Sequence, residues 1–358
     1  MRMRLRSAAA RVTIALLAAA LTLVGCSGGG SGASSGQPDG SQQGASARRA
    51  SAVLAALHAG LGRRAVTGTS YYLSLGDSLS QGVQPEPSGQ DVATSRGYPD
   101  RLARMLRAEL PHLRLVKLGC SGETTATMMH GGICPYPAGT QLAQAIRFLR
   151  LHRGKTALVT IDIGGNDPNS CVLDAKPSTI LPCVFTRIPG IARNVGAIMA
   201  KLRSAAGKRV LIVGMTYYVP ELGLWRSGKT GRQLAVLTGA VAAGANKMLA
   251  DGYHRHGVRV ANVFRAFRSS DFGARAKGNA SQAGGAAQID GAGGKAQSDR
   301  SRSVPPNVAA ICALTWMCAR APQGPNEHAN NAGYRVIARA FWRAIAGVEL
   351  SSAAGLLG

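Results

Sequence analysis

Apolar runs of strand length alternate along this chain with longer amphipathic stretches, and that alternation limits the fold more than any other feature of the sequence. Strand-like runs lie at 71–75, 113–118, 157–163, 210–213 and 258–263, while helical periodicity occupies 98–110, 141–152, 188–205, 231–254 and 332–346. Strands separated by helices join as βαβ units. The expected architecture is therefore α/β: a three-layer α/β/α sandwich around a central parallel sheet of about five strands. Most of the runs lack polar alternation, as strands do when helices cover both faces. At 358 residues and 46% hydrophobic content, the chain has material for one substantial core.

The N-terminal segment speaks to compartment. Arg2, Arg4, Arg6 and Arg11 precede an apolar stretch at 12–24, a pattern that reads as a signal peptide over 1–25. At about 1.5 Å per residue the stretch falls short of the roughly 30 Å hydrocarbon layer, so a spanning helix is disfavoured. Leu23-Val24-Gly25-Cys26 looks like a bacterial lipobox, which would place a diacylglycerol on Cys26 and anchor the mature chain to the outer face of the cytoplasmic membrane. Gly, Ser and Gln dominate 27–47, where too little apolar surface exists to offset the entropy of ordering. A flexible tether over 26–47 is expected, with a short helix at 48–64 leading into the domain. A Gly/Ala/Ser/Gln run at 273–303 reads as a surface insertion, and 351–358 as a tail.

Seven cysteines are present. Setting Cys26 aside leaves Cys120, Cys134, Cys171, Cys183, Cys312 and Cys318, an even set in an exported chain, which suggests three disulfides. Fifteen connectivities are possible. The cysteines fall into local couples, each within one expected loop, and pairing 120 with 134, 171 with 183 and 312 with 318 is the expectation. No C-x-x-C or close Cys/His spacing calls for a metal. The net charge of +25 is scattered, and 5% aromatic content leaves little for base stacking, so no nucleic-acid partner is expected. No cofactor motif is found, and a monomer is expected.

Residues 71–75 run directly into Gly76-Asp77-Ser78-Leu79, a strand followed by a turn with serine at its tip. In open parallel sheets ligands bind beyond the carboxyl ends of strands, where Ser78 would sit. Three further blocks follow: Gly119 after the second strand, Gly164-Gly165-Asn166-Asp167 after the third, and His328 within Pro325-Asn326-Glu327-His328-Ala329-Asn330 before the last helix. In their order and context these blocks resemble the SGNH (GDSL) hydrolases, and they span nearly the whole of the 48–350 domain. The resemblance implies a flavodoxin-like sheet, Ser78 as nucleophile and His328 as general base. It further implies an oxyanion hole formed by the N–H groups of Ser78 and Gly119 and the Asn166 amide.

The chemistry fits those residue types. A serine hydroxyl needs a base to take its proton, histidine titrates in the useful range, and rigid donors must await the developing oxyanion. Ser121, between Cys120 and Gly122, is a rival nucleophile. One departure concerns the histidine's support: the family usually carries Asp three residues before the histidine, where this chain has Pro325. Proline keeps its carbonyl, and by resemblance to extracellular members lacking the carboxylate, the Pro325 backbone carbonyl is expected to support His328, with Glu327 as the alternative. The G-x-S-x-G elbow, P-loop and H-E-x-x-H motifs are absent. The expected function is hydrolysis of carboxylic acyl esters, of lipid or other origin, at the cell envelope. A polysaccharide O-acetyl esterase and a non-catalytic envelope-binding lipoprotein are the rivals.

Overall fold

The computed structural model describes residues 40–169, 171, 177–273 and 304–347. The signal peptide, Cys26, nearly all of the 273–303 run and the C-terminal tail lie outside them. All five apolar runs form parallel strands: β1 (Ser70–Gly76), β4 (Leu113–Lys117), β5 (Thr156–Asp162), β6 (Leu211–Met215) and β7 (Arg259–Ala261). They assemble in the order β4-β1-β5-β6-β7. β2 (Gln84–Pro85) and β3 (Asp91–Val92) make a separate antiparallel hairpin that the sequence reading did not foresee.

Alternate strand residues feed two cores. Tyr72, Leu158, Val213 and Met215 pack beneath the helices Gly40–His58, Tyr98–Leu106 and Asn331–Ile345. Leu73, Leu75, Val159, Ile161 and Ile212 pack on the other face, beneath Gln141–Leu151, Pro177–Ala206 and Gly228–Arg255. All seven residues of β5 are buried; its Thr160 and Asp162 are hydrogen-bonded there, and each fully buried aliphatic side chain contributes about 1.5–3 kcal/mol. The Tyr98 ring stacks on Phe341 at 4.6 Å and 8°, fastening the last helix over the sheet.

Several boundaries differ from expectation. The first helix begins at Gly40, inside the stretch expected to be a flexible tether; its Val53 and Leu57 enter the core. β7 stops at Ala261 because Asn262 caps a short helix, its Oδ1 accepting from the Arg265 N–H at 2.9 Å. The expected disulfides, Cys120–Cys134, Cys171–Cys183 and Cys312–Cys318, are all present. Cys183 and Cys312, however, sit on the helices Pro177–Ala206 and Pro306–Leu314 rather than in loops.

The strand order reverses between β1 and β5. From β1 the chain moves outward to β4 and then returns to the other side of β1, and such a switch point opens a crevice at the carboxyl ends of the strands. Gly76 ends β1 there, opposite Asp162. Its φ of +131° is unsuited to a side chain, and a Cβ would lie 2.1 Å from the Asp162 carbonyl oxygen. Gly76→Ala should therefore cost at least about 2 kcal/mol of folding stability, measured by urea denaturation.

Candidate active site

The turn after β1 is held from behind by acids. Asp77 caps the short helix Ser78–Gln81: its Oδ1 accepts from the Leu79 N–H at 2.9 Å, and its Oδ2 from the Tyr217 hydroxyl at 2.8 Å. The buried Asp162 accepts at Oδ2 from the N–H groups of Asp77 and Ser80, both at 3.2 Å, and at Oδ1 from the Tyr98 hydroxyl. Gln141 clasps the Gly76 peptide, accepting from its N–H at 2.7 Å and donating to its carbonyl at 3.0 Å. The same Gln141 Nε2 donates to Glu123 Oε2 at 2.8 Å. Ser78 is left half-buried at the tip of this framework.

Burial pushes the Asp162 carboxyl well above the usual carboxylate range, and the neighbouring charge of Asp77 adds to the shift. Burial also raises Asp77, against the pull of Asp162, the Leu79 N–H and the Tyr217 hydroxyl. Glu123 is raised by burial against donors from Thr127 and Gln141. The pair behind Ser78 thus carries less negative charge than its two carboxyls suggest, with Asp162 keeping its proton longer.

His328 reaches this turn from the opposite end of the chain. Asn330 caps the helix Asn331–Ile345 by accepting from the N–H groups of Ala332 and Gly333, at 2.8 and 3.1 Å. Thr315 and Ala329 bridge, and the His328 carbonyl accepts from the Trp316 N–H at 3.0 Å. So held, His328 is 7% exposed, with Nε2 2.9 Å from Ser78 Oγ.

The support of the imidazole differs from expectation. Asn326 Oδ1 accepts the His328 backbone N–H at 2.9 Å and lies 2.9 Å from Nδ1. This tight turn brings an amide oxygen to Nδ1, where the carbonyl of Pro325 was expected, and that expectation is corrected. Glu327 is not the neighbouring acid either: among the described residues the carboxylate within 4 Å of the ring is Asp91, whose Oδ2 is 3.5 Å from Nδ1. Asp91 Oδ1 accepts from Asn326 Nδ2 at 2.9 Å. Asp91 and Asn326 stand 235 residues apart in sequence, and the only trace in the chain was the turn-rich stretch around Gly89.

The remaining candidates follow adjacent strands. Gly119 lies against the turn so closely that a Cβ would sit 1.7 Å from Ser80 Oγ. Leu118 and Cys120 donate to the carbonyls of Ser74 and Gly76, so alternation turns the Gly119 N–H away from the β1 ladder. Asn166 donates from Nδ2 to the Glu123 carbonyl at 3.1 Å and accepts at Oδ1 from Asn169 Nδ2 at 3.1 Å. One of its two amide hydrogens is committed. Ser121 is exposed, and the imidazole faces Ser78 instead. Among the described residues no three His, Cys, Asp or Glu side chains gather as a metal site. A groove of about 590 Å³ lined by Ala143, Ile146, Arg147, Arg150, Leu151 and Lys201 shares no residue with this constellation. A half-buried hydroxyl within 2.9 Å of a neutral imidazole nitrogen can pass its proton to that nitrogen and become a nucleophile.

The model of the GDSL-like lipase/acylhydrolase family matches residues 74–282. Comparison with curated proteins gives no match. Among solved structures, the chain is similar to the extracellular lipase of Streptomyces rimosus, at 21% identity over 56% of this chain and 82% of that one, TM-score 0.41. It is similar to an acetylxylan esterase of Geobacillus stearothermophilus, at 18% identity over 79% and 97%, TM-score 0.42. A phospholipase A1 of Streptomyces albidoflavus NA297 gives 21% identity over 56% and 82%, TM-score 0.39.

The raised Asp162 has a pH consequence. Above about pH 4 the unfolded chain loses this proton while the fold retains it, so stability falls with rising pH until the folded carboxyl also ionises. Asp162→Asn keeps an acceptor for both N–H groups and cannot ionise. Urea midpoints measured from pH 4 to 8 should decline less steeply for the variant than for the native chain; parallel declines would contradict the shift.

Proposed function

The chain belongs to the GDSL-like lipase/acylhydrolase family and is an ester hydrolase, and on that premise we propose that Ser78 is its nucleophile and His328 its general base. The 2.9 Å approach of His328 Nε2 to Ser78 Oγ carries the reading. Its polarity is decided by the neighbours. The His328 backbone N–H can only donate, so the Asn326 atom that meets it is the amide oxygen, and that oxygen can only accept from Nδ1. Nδ1 therefore bears the proton, and Nε2 turns its lone pair to Ser78.

Ser78 Oγ attacks the ester carbonyl carbon while its proton passes to Nε2, and the carbonyl electrons collect on oxygen. The N–H groups of Ser78 and Gly119 and the uncommitted Asn166 amide hydrogen receive that oxyanion; each such donor is worth about 10²–10³ in rate. Collapse of the intermediate expels the alcohol, which takes the proton from the imidazolium and leaves an acyl-serine. Water, deprotonated by His328, then releases the acid and restores the hydroxyl. Asn326 holds the tautomer throughout.

The substrate is a carboxylic acyl ester met at the cell envelope. Three disulfides support maturation in an oxidising compartment, and among the described residues no helix is long and apolar enough to cross a membrane. The arginine-rich leader and the lipobox support export with lipidation at Cys26, which would place the enzyme on the outer face of the membrane.

A fluorophosphonate probe should label Ser78, and Ser78→Ala should abolish both label and turnover; labelling at Ser121 would sink the assignment. His328→Ala should lower turnover by about 10³ or more. Rates across p-nitrophenyl esters from acetyl to palmitoyl separate a lipase from an acetyl esterase. Palmitate fed to producing cells should appear on the native chain and be lost in Cys26→Ala.

A further inference from the structure

We propose that Asp91 is a positioning residue for the His328 imidazole, acting through the Asn326 amide; the inference rests on the Ser78–His328 reading. Asn326 alone fixes the tautomer, yet it is neutral and offers the imidazolium formed during attack only a dipole. Asp91 adds a full negative charge. Its Oδ1 accepts from Asn326 Nδ2 at 2.9 Å, and its Oδ2 lies 3.5 Å from Nδ1. That separation is long for a direct hydrogen bond but short for attraction between charges. The carboxylate also locks the amide's orientation, since only the NH₂ end can face an acceptor.

The hairpin that carries Asp91 is built to meet the histidine segment. Paired over two residues a side, β2 and β3 are too short to persist alone. Several contacts hold the hairpin in place, the Gln84 amide donating to Asn331 Oδ1 at 3.4 Å among them. Asn326 donates to Asp91, the Tyr334 hydroxyl donates to the Val83 carbonyl at 2.8 Å, and Gly89 approaches the Pro322 carbonyl so closely that a Cβ would lie 2.3 Å from its oxygen. Tyr334 belongs to the helix that follows His328, so hairpin and base share one mounting.

Asp91's side chain is 41% exposed, so solvent screens part of its field at the ring. Asp91→Asn keeps an acceptor for Asn326 Nδ2 and deletes only that charge. The expected result is a fall in kcat of about tenfold with KM within about twofold. This is far less than the loss of a tautomer-fixing group would cost, because Asn326 still fixes the proton. The double exchange, Asp91→Asn together with Asn326→Asp, puts the carboxylate directly on Nδ1, with the amide introduced in the hairpin donating to it. It should return kcat to within about threefold of the native value.

The experiment is steady-state hydrolysis of one p-nitrophenyl ester by the native chain, both variants, Ser78→Ala and His328→Ala, with thermal melts on all five. Native-like kcat in Asp91→Asn, or failure of a stably folded exchange variant to recover, overturns the assignment. Activity persisting in Ser78→Ala or His328→Ala overturns instead the reading on which it rests.

Discussion

The carboxyl group of Asp162, sealed at the end of the central strand, receives the N–H groups of Asp77 and Ser80 and the hydroxyl of Tyr98, and the geometry of the Ser78 turn depends on it. A turn that bends straight off a buried strand leaves backbone N–H groups without ladder partners in a place water does not reach, and each would carry a desolvation cost of about 1–3 kcal/mol. One side chain from the neighbouring strand satisfies the Ser80 N–H and shares that of Asp77 with its own backbone carbonyl, which accepts it at 3.1 Å. The parallel register that sets Gly76 opposite Asp162 makes this possible, and the absence of a Cβ at Gly76 leaves room for it.

The site concentrates acid in a basic protein. The chain carries 42 Lys and Arg against 17 Asp and Glu, yet Asp77, Asp91, Glu123 and Asp162 all stand within the network around the serine and the histidine. Their environments separate their roles. Asp162 and Glu123 are buried and pushed toward the neutral form, which suits groups whose task is to anchor backbone and amide. Asp91 is partly exposed at the rim, so it retains hydration while it faces the His328 ring.

The histidine segment is fastened from several directions. Cys312–Cys318 closes a short loop beside it, the Asn330 amide donates to the Ala313 carbonyl at 2.9 Å, and the Tyr218 hydroxyl donates to the Glu327 carbonyl at 2.8 Å. A base on a loop must be kept within a fraction of an ångström of its partner to be useful. Here the loop is tied to the segment after β6, to the hairpin and to the helix Pro306–Leu314.

Local patterns sufficed for the architecture. The apolar runs at 71–75 and 157–163 read as strands covered on both faces, and the cysteine couples were near enough in sequence to pair locally, because periodicity and spacing act between residues close in sequence. The Gly76-Asp77-Ser78-Leu79 turn and the block around His328 stood out through the order of four blocks that resembles the family. The partner of His328 Nδ1 was not of that kind. Pro325 and Glu327 were the nearest candidates along the chain, but the orientation of Asn326 is set by its hydrogen bonds to His328 and Asp91. Asp91 comes to that place only because the hairpin folds onto a segment more than two hundred residues away. The same holds for Asp162, whose carboxyl became the anchor of the turn through strand register. Strand and helix periodicity records which faces are buried and says nothing about which long-range neighbour fills a given hydrogen bond. The serine and histidine proposed as nucleophile and base were therefore legible in the sequence, and the groups that surround them were decided by tertiary contact.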